Sequence, residues 1–302
     1  MTEFGADQAE KLRSLMSDAG GHDTTGNGTV IAITSGKGGV GKSNFCINFA
    51  IGLKELGHRP VIIDADVGFA DVEVLLGIHP AHTIVDVVQG MSIWDALSYH
   101  SSGLAFLAAS TGLTDIHDLG SEEMLRLMNE MEKLHEQFDV VLIDSGAGMG
   151  RNIGRLLSAA DEVFLVTTPE PTAVADAYAV MKMLAHRGEV PPTRMVVNRV
   201  GNFVAGKETA EKLQLVASRF LDVEVGILGY ILEDSTVSKA VMEQSALLFG
   251  FPDSVASRCV RQLVRNYLHR EPPRERRGIG RFFERLFGKR RSGNEINSTH
   301  SA

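Results

Sequence analysis

The residues Ser35-Gly36-Lys37-Gly38-Gly39-Val40-Gly41-Lys42-Ser43 carry the plainest chemistry in this chain. They follow an apolar, strand-like run and open a helical stretch at Ser43, which is the setting a phosphate-binding loop requires. Glycines at Gly38, Gly39 and Gly41 let backbone N–H groups close around phosphate oxygens, and the helix start adds partial positive charge. Val40 and Asn44 fall within the same wrap. Lys42 is placed to reach the β- and γ-phosphates, and the Ser43 hydroxyl to ligate Mg²⁺. Lys37 is a second lysine that such a loop does not need.

Carboxylates fall where a metal-assisted phosphate site would use them. The run Pro60-Val-Ile-Ile-Asp-Ala-Asp66 ends a strand with Asp64 and Asp66 two residues apart, so both start on one strand face. Asp139-Val-Val-Leu-Ile-Asp144 is a second such strand, closed by Asp144 and followed by the small-residue turn Ser145-Gly146-Ala147-Gly148. Hard carboxylate oxygens suit Mg²⁺, which keeps several of its waters. No Asn-Lys-x-Asp run for guanine is present, so the expected cofactors are ATP/ADP and Mg²⁺.

The elements that must position these residues alternate along the chain. Strands are expected at Val30–Thr34, Pro60–Asp64, Leu104–Ala108, Val140–Asp144, Glu162–Thr167, Arg194–Asn198 and Glu224–Tyr230. Helices are expected near 43–56, 122–137, 150–159, 172–187, 207–220, 235–243 and 253–269. The strand runs are continuously apolar, which implies burial on both faces. The fold class is therefore α/β, a mostly parallel central sheet with helices on both sides. Four segments follow: a helix-like stretch at 1–17, a Gly/Thr/Asn/Asp-rich linker at 18–29, the α/β core at 30–271 and a tail at 272–302.

Across 29–270, the K-G-G-x-G-K-[ST] pattern resembles the deviant phosphate loop of the MinD/ParA ATPases. The resemblance implies an ATP-bound homodimer in which Lys37 crosses to the partner's nucleotide. It implies that Asp66 positions the attacking water, that Asp64 joins the Mg²⁺ water shell, and that Asn198 and Arg199 contact adenine. Glu170 would lie near the ribose or Lys37. The stretch Gly229-Tyr-Ile-Leu-Glu-Asp234 matches the family's later G-x-I-P-E-D, with Leu232 replacing the proline. Gly-Lys-Ser-Asn-Phe, Asp-Ser-Gly-Ala-Gly and Thr-Thr-Pro-Glu-Pro-Thr-Ala look most like the flagellar-number regulators of this family (FlhG, FleN, YlxH). Iron–sulfur members need cluster cysteines, and this sequence has two cysteines, Cys46 and Cys259, both at core-like positions.

Both ends carry signals of their own. Asp7-Gln8-Ala9-Glu10-Lys11-Leu12-Arg13 looks like the activator motif by which those regulators stimulate the GTPase of FlhF, a signal-recognition-type partner. Asp7, Gln8, Leu12 and Arg13 are its candidate contacts. Flagellar C-ring proteins or a flagellar transcription activator are further partners the resemblance suggests. In the tail, Ile279, Phe282, Phe283, Leu286 and Phe287 fall at helical spacing with arginines opposite, over about 278–290. That is the pattern of a helix lying on an anionic membrane surface, and the alternative is an apolar face docked on the core. One such helix is a marginal anchor, and two presented by a dimer act with avidity.

Composition sets the outer bounds. The 302 residues are 44% hydrophobic and 23% charged, a globular composition with no apolar run long enough to span a bilayer. Residues 274–291 hold eight Arg/Lys against Glu275 and Glu284, a surplus of six. With Glu295 the only other charge in the tail, residues 1–273 carry −13 of the overall −8. So acidic a body disfavours nucleic acid as a partner. The N-terminus lacks a charged and then apolar leader, so the expected location is the cytoplasm, peripheral to the inner face of the membrane when ATP is bound. Division-site or chromosome positioning, and nucleotide-gated binding of a transcription activator, are the alternative functions.

Overall fold

The computed structural model describes residues 28–65, 71–108, 120–148, 150–188, 190–269 and 278–287. Among the described residues, eight strands form one sheet in the order β3-β4-β2-β5-β1-β6-β7-β8. They are β1 (Thr29–Thr34), β2 (Pro60–Ala65), β3 (Ser98–Tyr99), β4 (Ala105–Leu107), β5 (Val140–Ser145), β6 (Glu162–Thr167), β7 (Thr193–Val200) and β8 (Val225–Leu232). All neighbours pair in parallel except β3 with β4. The seven expected strands are present, β6 with the expected ends and the other six with ends shifted by one or two residues. The two-residue β3 was not expected, because two residues are too few to show a period.

Alternation within the strands divides the interior into two cores. Val30, Ala32, Val61, Ile63, Val141, Ile143, Val163 and Leu165 point to one face, and Ile31, Ile33, Ile62, Val140, Leu142, Phe164 and Val166 to the other. On the second face lie α1 (Lys42–Glu55), α2 (Asp71–Leu76), α9 (Ser235–Met242), α10 (Leu247–Gly250) and α11 (Val255–Leu268). Phe45, Phe49, Phe164 and Tyr267 knit this core through tilted and edge-on ring contacts. The first face is covered by α3 (Ile84–Val88), α4 (Ile93–Ala96), α5 (Ser121–Glu132), α6 (Arg151–Ala159), α7 (Pro171–His186) and α8 (Phe203–Leu221).

A further helix completes that first face. Residues Gly278–Phe287 form α12, which packs against α5, α6, β1 and the 3-10 turn Lys133–Glu136. Ile279, Phe282 and Phe283 are 3%, 2% and 5% exposed and belong to the same apolar cluster as Met131, Leu134 and Leu157. Leu286 packs at its margin, while Arg281 and Glu284 face solvent. Here the apolar stripe is docked on the core. Among the described residues, no helix is long and apolar enough to cross a membrane.

Candidate nucleotide site

Parallel strands place their C-terminal ends on one edge of the sheet, where open α/β folds bind ligands. β1 delivers the loop Ser35–Gly41 to that edge, and α1 begins at Lys42 with Gly41 as its N-cap. Gly41 is left-handed at φ +90°, and a Cβ there would stand 2.4 Å from Asn198 Nδ2. Asn198, at the end of β7, donates from Nδ2 to the Val40 carbonyl at 2.8 Å and accepts from the Arg199 N–H at 2.9 Å. Its amide thus braces the back of the loop. Arg199 holds a left-handed backbone at φ +56° and stays exposed. Val40 turns its side chain into the core. Asn44 directs its side-chain and main-chain oxygens to the Asn48 amide one turn along α1.

The front of the loop is open. A Cβ built on Gly38 or on Gly39, the latter at φ +78°, would meet nothing within 4 Å. Backbone bounds that open side together with a helix N-terminus, and such a concavity fits phosphate. Gly36 is the reverse case: a Cβ there would lie 2.2 Å from the Asp176 carbonyl carbon, so the first half of the loop is seated directly on the α7 backbone.

Asp64 and Asp144 lie side by side in register on β2 and β5, both pointing to the α1 side of the sheet. They are 4% and 0% exposed. Lys42 Nζ, itself buried, lies 2.7 Å from Asp144 Oδ1 and 3.2 Å from Ser43 Oγ. One cation, two carboxylates and a hydroxyl therefore converge beneath the loop. Among the described residues no set of three or more His, Cys, Asp or Glu could hold a metal unaided. Two carboxylates and a hydroxyl suit Mg²⁺, which completes its shell with water and phosphate oxygens. Ser43, Asp64 and Asp144 would hold it, and bound there it would neutralise charge developing on the phosphates. Asp66 lies outside the described residues.

Ser145 Oγ donates to the Ile33 carbonyl at 3.0 Å, and the Gly148 N–H donates to the Ser35 carbonyl at 3.0 Å. The turn after β5 is thereby stitched to the loop it flanks. Lys37 reaches over the start of α7, with Nζ 3.1 Å from Glu170 Oε2 and 3.1 Å from Thr172 Oγ1. Glu170 is thus beside Lys37, one of the two expected neighbours. Thr172 had no expected role, although its place two residues after Glu170 on a helix start was the available signal. Asp234 spends its carboxylate on capping, with Oδ1 accepting from the Thr236 N–H at 2.9 Å and Oδ2 from the Ala256 N–H at 3.1 Å. The Thr236 hydrogen bonds hold its carboxyl below the usual range.

Cys46 sits one turn into α1 beneath this cluster, and burial followed by the Asp144 charge pushes its thiol well above the ordinary range. Cys259 is buried in α11. The family model described as "NUBPL iron-transfer P-loop NTPase", of the ParA group, matches residues 27–267. This chain belongs to the MinD/ParA family of P-loop ATPases. Membership makes it an ATP hydrolase, in a family whose members act as ATP-dependent homodimers. The iron-transfer part of that description finds no matching chemistry, since the two cysteines are both buried in the helical core. The antiactivator FleN of Pseudomonas aeruginosa is 35% identical over 88% of this chain and 96% of its own length. The flagellum site-determining protein YlxH of Helicobacter pylori is 30% identical over 93% and 97%. The structure of the MinC:MinD cell division complex of Aquifex aeolicus aligns with a TM-score of 0.64 at 26% identity, covering 82% of this chain and 98% of that one. A MinD/ParA-type switch ATPase of the positioning class is the level at which these relatives agree.

Proposed function

We propose that this ATPase dimerises on ATP, presents α12 to an anionic membrane, and so controls flagellar number or placement. Hydrolysis through Asp66 resets it. The observation that carries the switch is α12 itself: an apolar face of membrane-binding pattern is buried against the core of a single chain. A face held in this way is silent until the surface beneath it rearranges. The arrangement then needs no transmembrane segment, and the protein stays cytoplasmic between visits to the membrane. Lys37 supplies the ATP dependence, because its charge is worth more on a partner's phosphates than on an exposed carboxylate. Adenine contacts from Asn198 and Arg199 belong to the same reading.

The flagellar assignment is supported by the name of one of these relatives, a flagellum site-determining protein. The N-terminal motif with Asp7, Gln8, Leu12 and Arg13 lies outside the described residues, and stimulation of an FlhF-type GTPase is its proposed task. The word antiactivator favours one second reading, nucleotide-gated binding of a transcription activator. The test uses the full chain with anionic vesicles and, separately, with an FlhF-type GTPase. ATP should drive co-sedimentation that ADP does not, and Gln8→Ala should abolish GTPase stimulation while leaving vesicle binding intact. Vesicle binding indifferent to nucleotide would sink the switch. Absent GTPase stimulation would move the output to the transcription-activator reading.

A further inference from the structure

Gly154 has no side chain, and an arginine from the next helix lies where one would be. It sits inside α6, where a glycine is disfavoured unless its bare backbone is needed. A Cβ there would stand 3.2 Å from Arg187 Nη1, 3.4 Å from Arg187 Cδ and 3.2 Å from Met183 Sδ. Arg187 closes α7 as its C-cap, an end whose partial negative charge suits an arginine. Its side chain runs from that end across to α6. Among the described residues no carboxylate lies within ion-pair distance of Arg187. Its charged neighbour is another cation, Arg155, the residue after Gly154. Partial burial, and then the Arg155 charge, pull the Arg187 guanidinium below its ordinary value.

Two guanidiniums side by side repel each other, and the arrangement becomes favourable when an anion joins them. Their planar forks match the oxygens of a phosphate. α6 begins after Gly150, which has no side chain to cap it, so the partial positive charge of its first turn adds to the same place. The position of the pair says which phosphate. The pair spans α6 and the end of α7, and α12 packs against α6 as well. A surface that receives α12 is thereby brought within about a helix width of the pair. The rest of the body is strongly acidic, so an anionic membrane repels it except where cations gather. We infer that Arg155 and Arg187 bind the phosphate of an anionic lipid headgroup and so fix how the body sits on the membrane. This deepens the function proposed above and rests on its membrane step. α12 supplies the attachment, and the arginine pair supplies the orientation.

The full chain with ATP and Mg²⁺ is titrated with vesicles of phosphatidylglycerol and phosphatidylcholine, and the half-saturating lipid concentration is read by co-sedimentation. Arg155→Gln and Arg187→Gln should each raise it about fivefold, the worth of one cation at such a surface. Gly154→Ala keeps every charge, displaces Arg187 with its new methyl group, and should raise it about twofold or more. Arg258→Gln removes an equal charge from exposed α11, on the other side of the sheet, and should leave it unchanged. Equal weakening by Arg258→Gln, or none by Arg187→Gln, overturns the site. Hydrolysis without vesicles should match the parent in all four variants, which shows that they are folded. A second readout needs neither ATP nor a membrane: modification of Arg187 by phenylglyoxal in the nucleotide-free chain, followed by mass spectrometry. Soluble short-chain phosphatidylglycerol should slow it about threefold, and the phosphatidylcholine of equal chain length should not. Equal protection by inorganic phosphate, with vesicle binding unchanged in Arg187→Gln, would assign the pair to free phosphate and overturn the lipid site. If the parent does not bind vesicles on ATP, the proposed function fails and the protection of Arg187 alone decides the site.

Discussion

Lys42 and Asp144 are each other's counter-charge in a place that excludes water, at 7% and 0% side-chain exposure. A buried ion pair is costly to break by removing one member. Nucleotide entering without Mg²⁺ must draw Lys42 away and leave Asp144 uncompensated. Entry with the metal gives both groups a new partner. Asp144→Asn should accordingly raise metal-free ADP affinity about tenfold, since the amide still accepts from Lys42 without binding it as a charge. The same variant should lose most Mg²⁺-dependent hydrolysis. ADP titrations in chelator beside hydrolysis assays in Mg²⁺ check both halves. A metal-free affinity equal to the parent's would show that the pair does not oppose entry. Sequence alone named Lys42, Ser43, Asp64 and Asp144, because loop and strand ends fix them by spacing. It did not show Lys42 resting on Asp144, since that contact joins residues 102 positions apart.

The buried end of β6 holds a second charged pair. Glu162, fully buried, meets Arg194 across the β6–β7 ladder, with Asp161 beside it. Burial dominates over the Arg194 attraction, and Asp161 adds to the burial, so the Glu162 carboxyl is pushed up to about 8 from an ordinary 4.5. The folded chain therefore holds this proton more tightly than the unfolded one. Its contribution to stability is complete below pH 4.5 and is lost as pH climbs towards 8. Thermal melts from pH 5 to 8 should show a decline that Glu162→Gln flattens. A variant that keeps the parent's slope would assign the decline to other groups. Among the elements, the long helices and apolar strands were legible from their periods. The short helices α2, α3, α4 and α10 were not, because four to six residues hold too little of a 3.6-residue period. α8 starts at Phe203, before the expected 207, because Asn202 caps it by accepting from the Ala205 N–H.

The docked position of α12 depends on the whole molecule. Its amphipathic pattern was readable, and its place was not, since a face that fits a membrane also fits a groove between two helices. What decides the matter is the surface between α5 and α6, which α12 covers. Removing residues 270–302 should bare that apolar surface. The expected result is a melting temperature several degrees lower and concentration-dependent self-association, measured by thermal melts and light scattering. A truncated chain that melts with the parent and stays monodisperse would show that the groove closes over without the helix.

β1 runs from the seat of α12 to the phosphate loop. Gly28, at its lower end, lies against Phe138 and His135, beside the 3-10 turn that borders α12. Thr34, at its upper end, hands the chain to the phosphate loop. Six residues at about 3.3 Å each make a rod of roughly 20 Å. It is locked on both flanks by β5 and β6, and α12 lies against it. A strand so paired resists bending and sliding alike, because either would break the ladder hydrogen bonds on both of its flanks. The phosphate loop and the α12 seat are therefore kept at a fixed separation, like two jaws set on one bar.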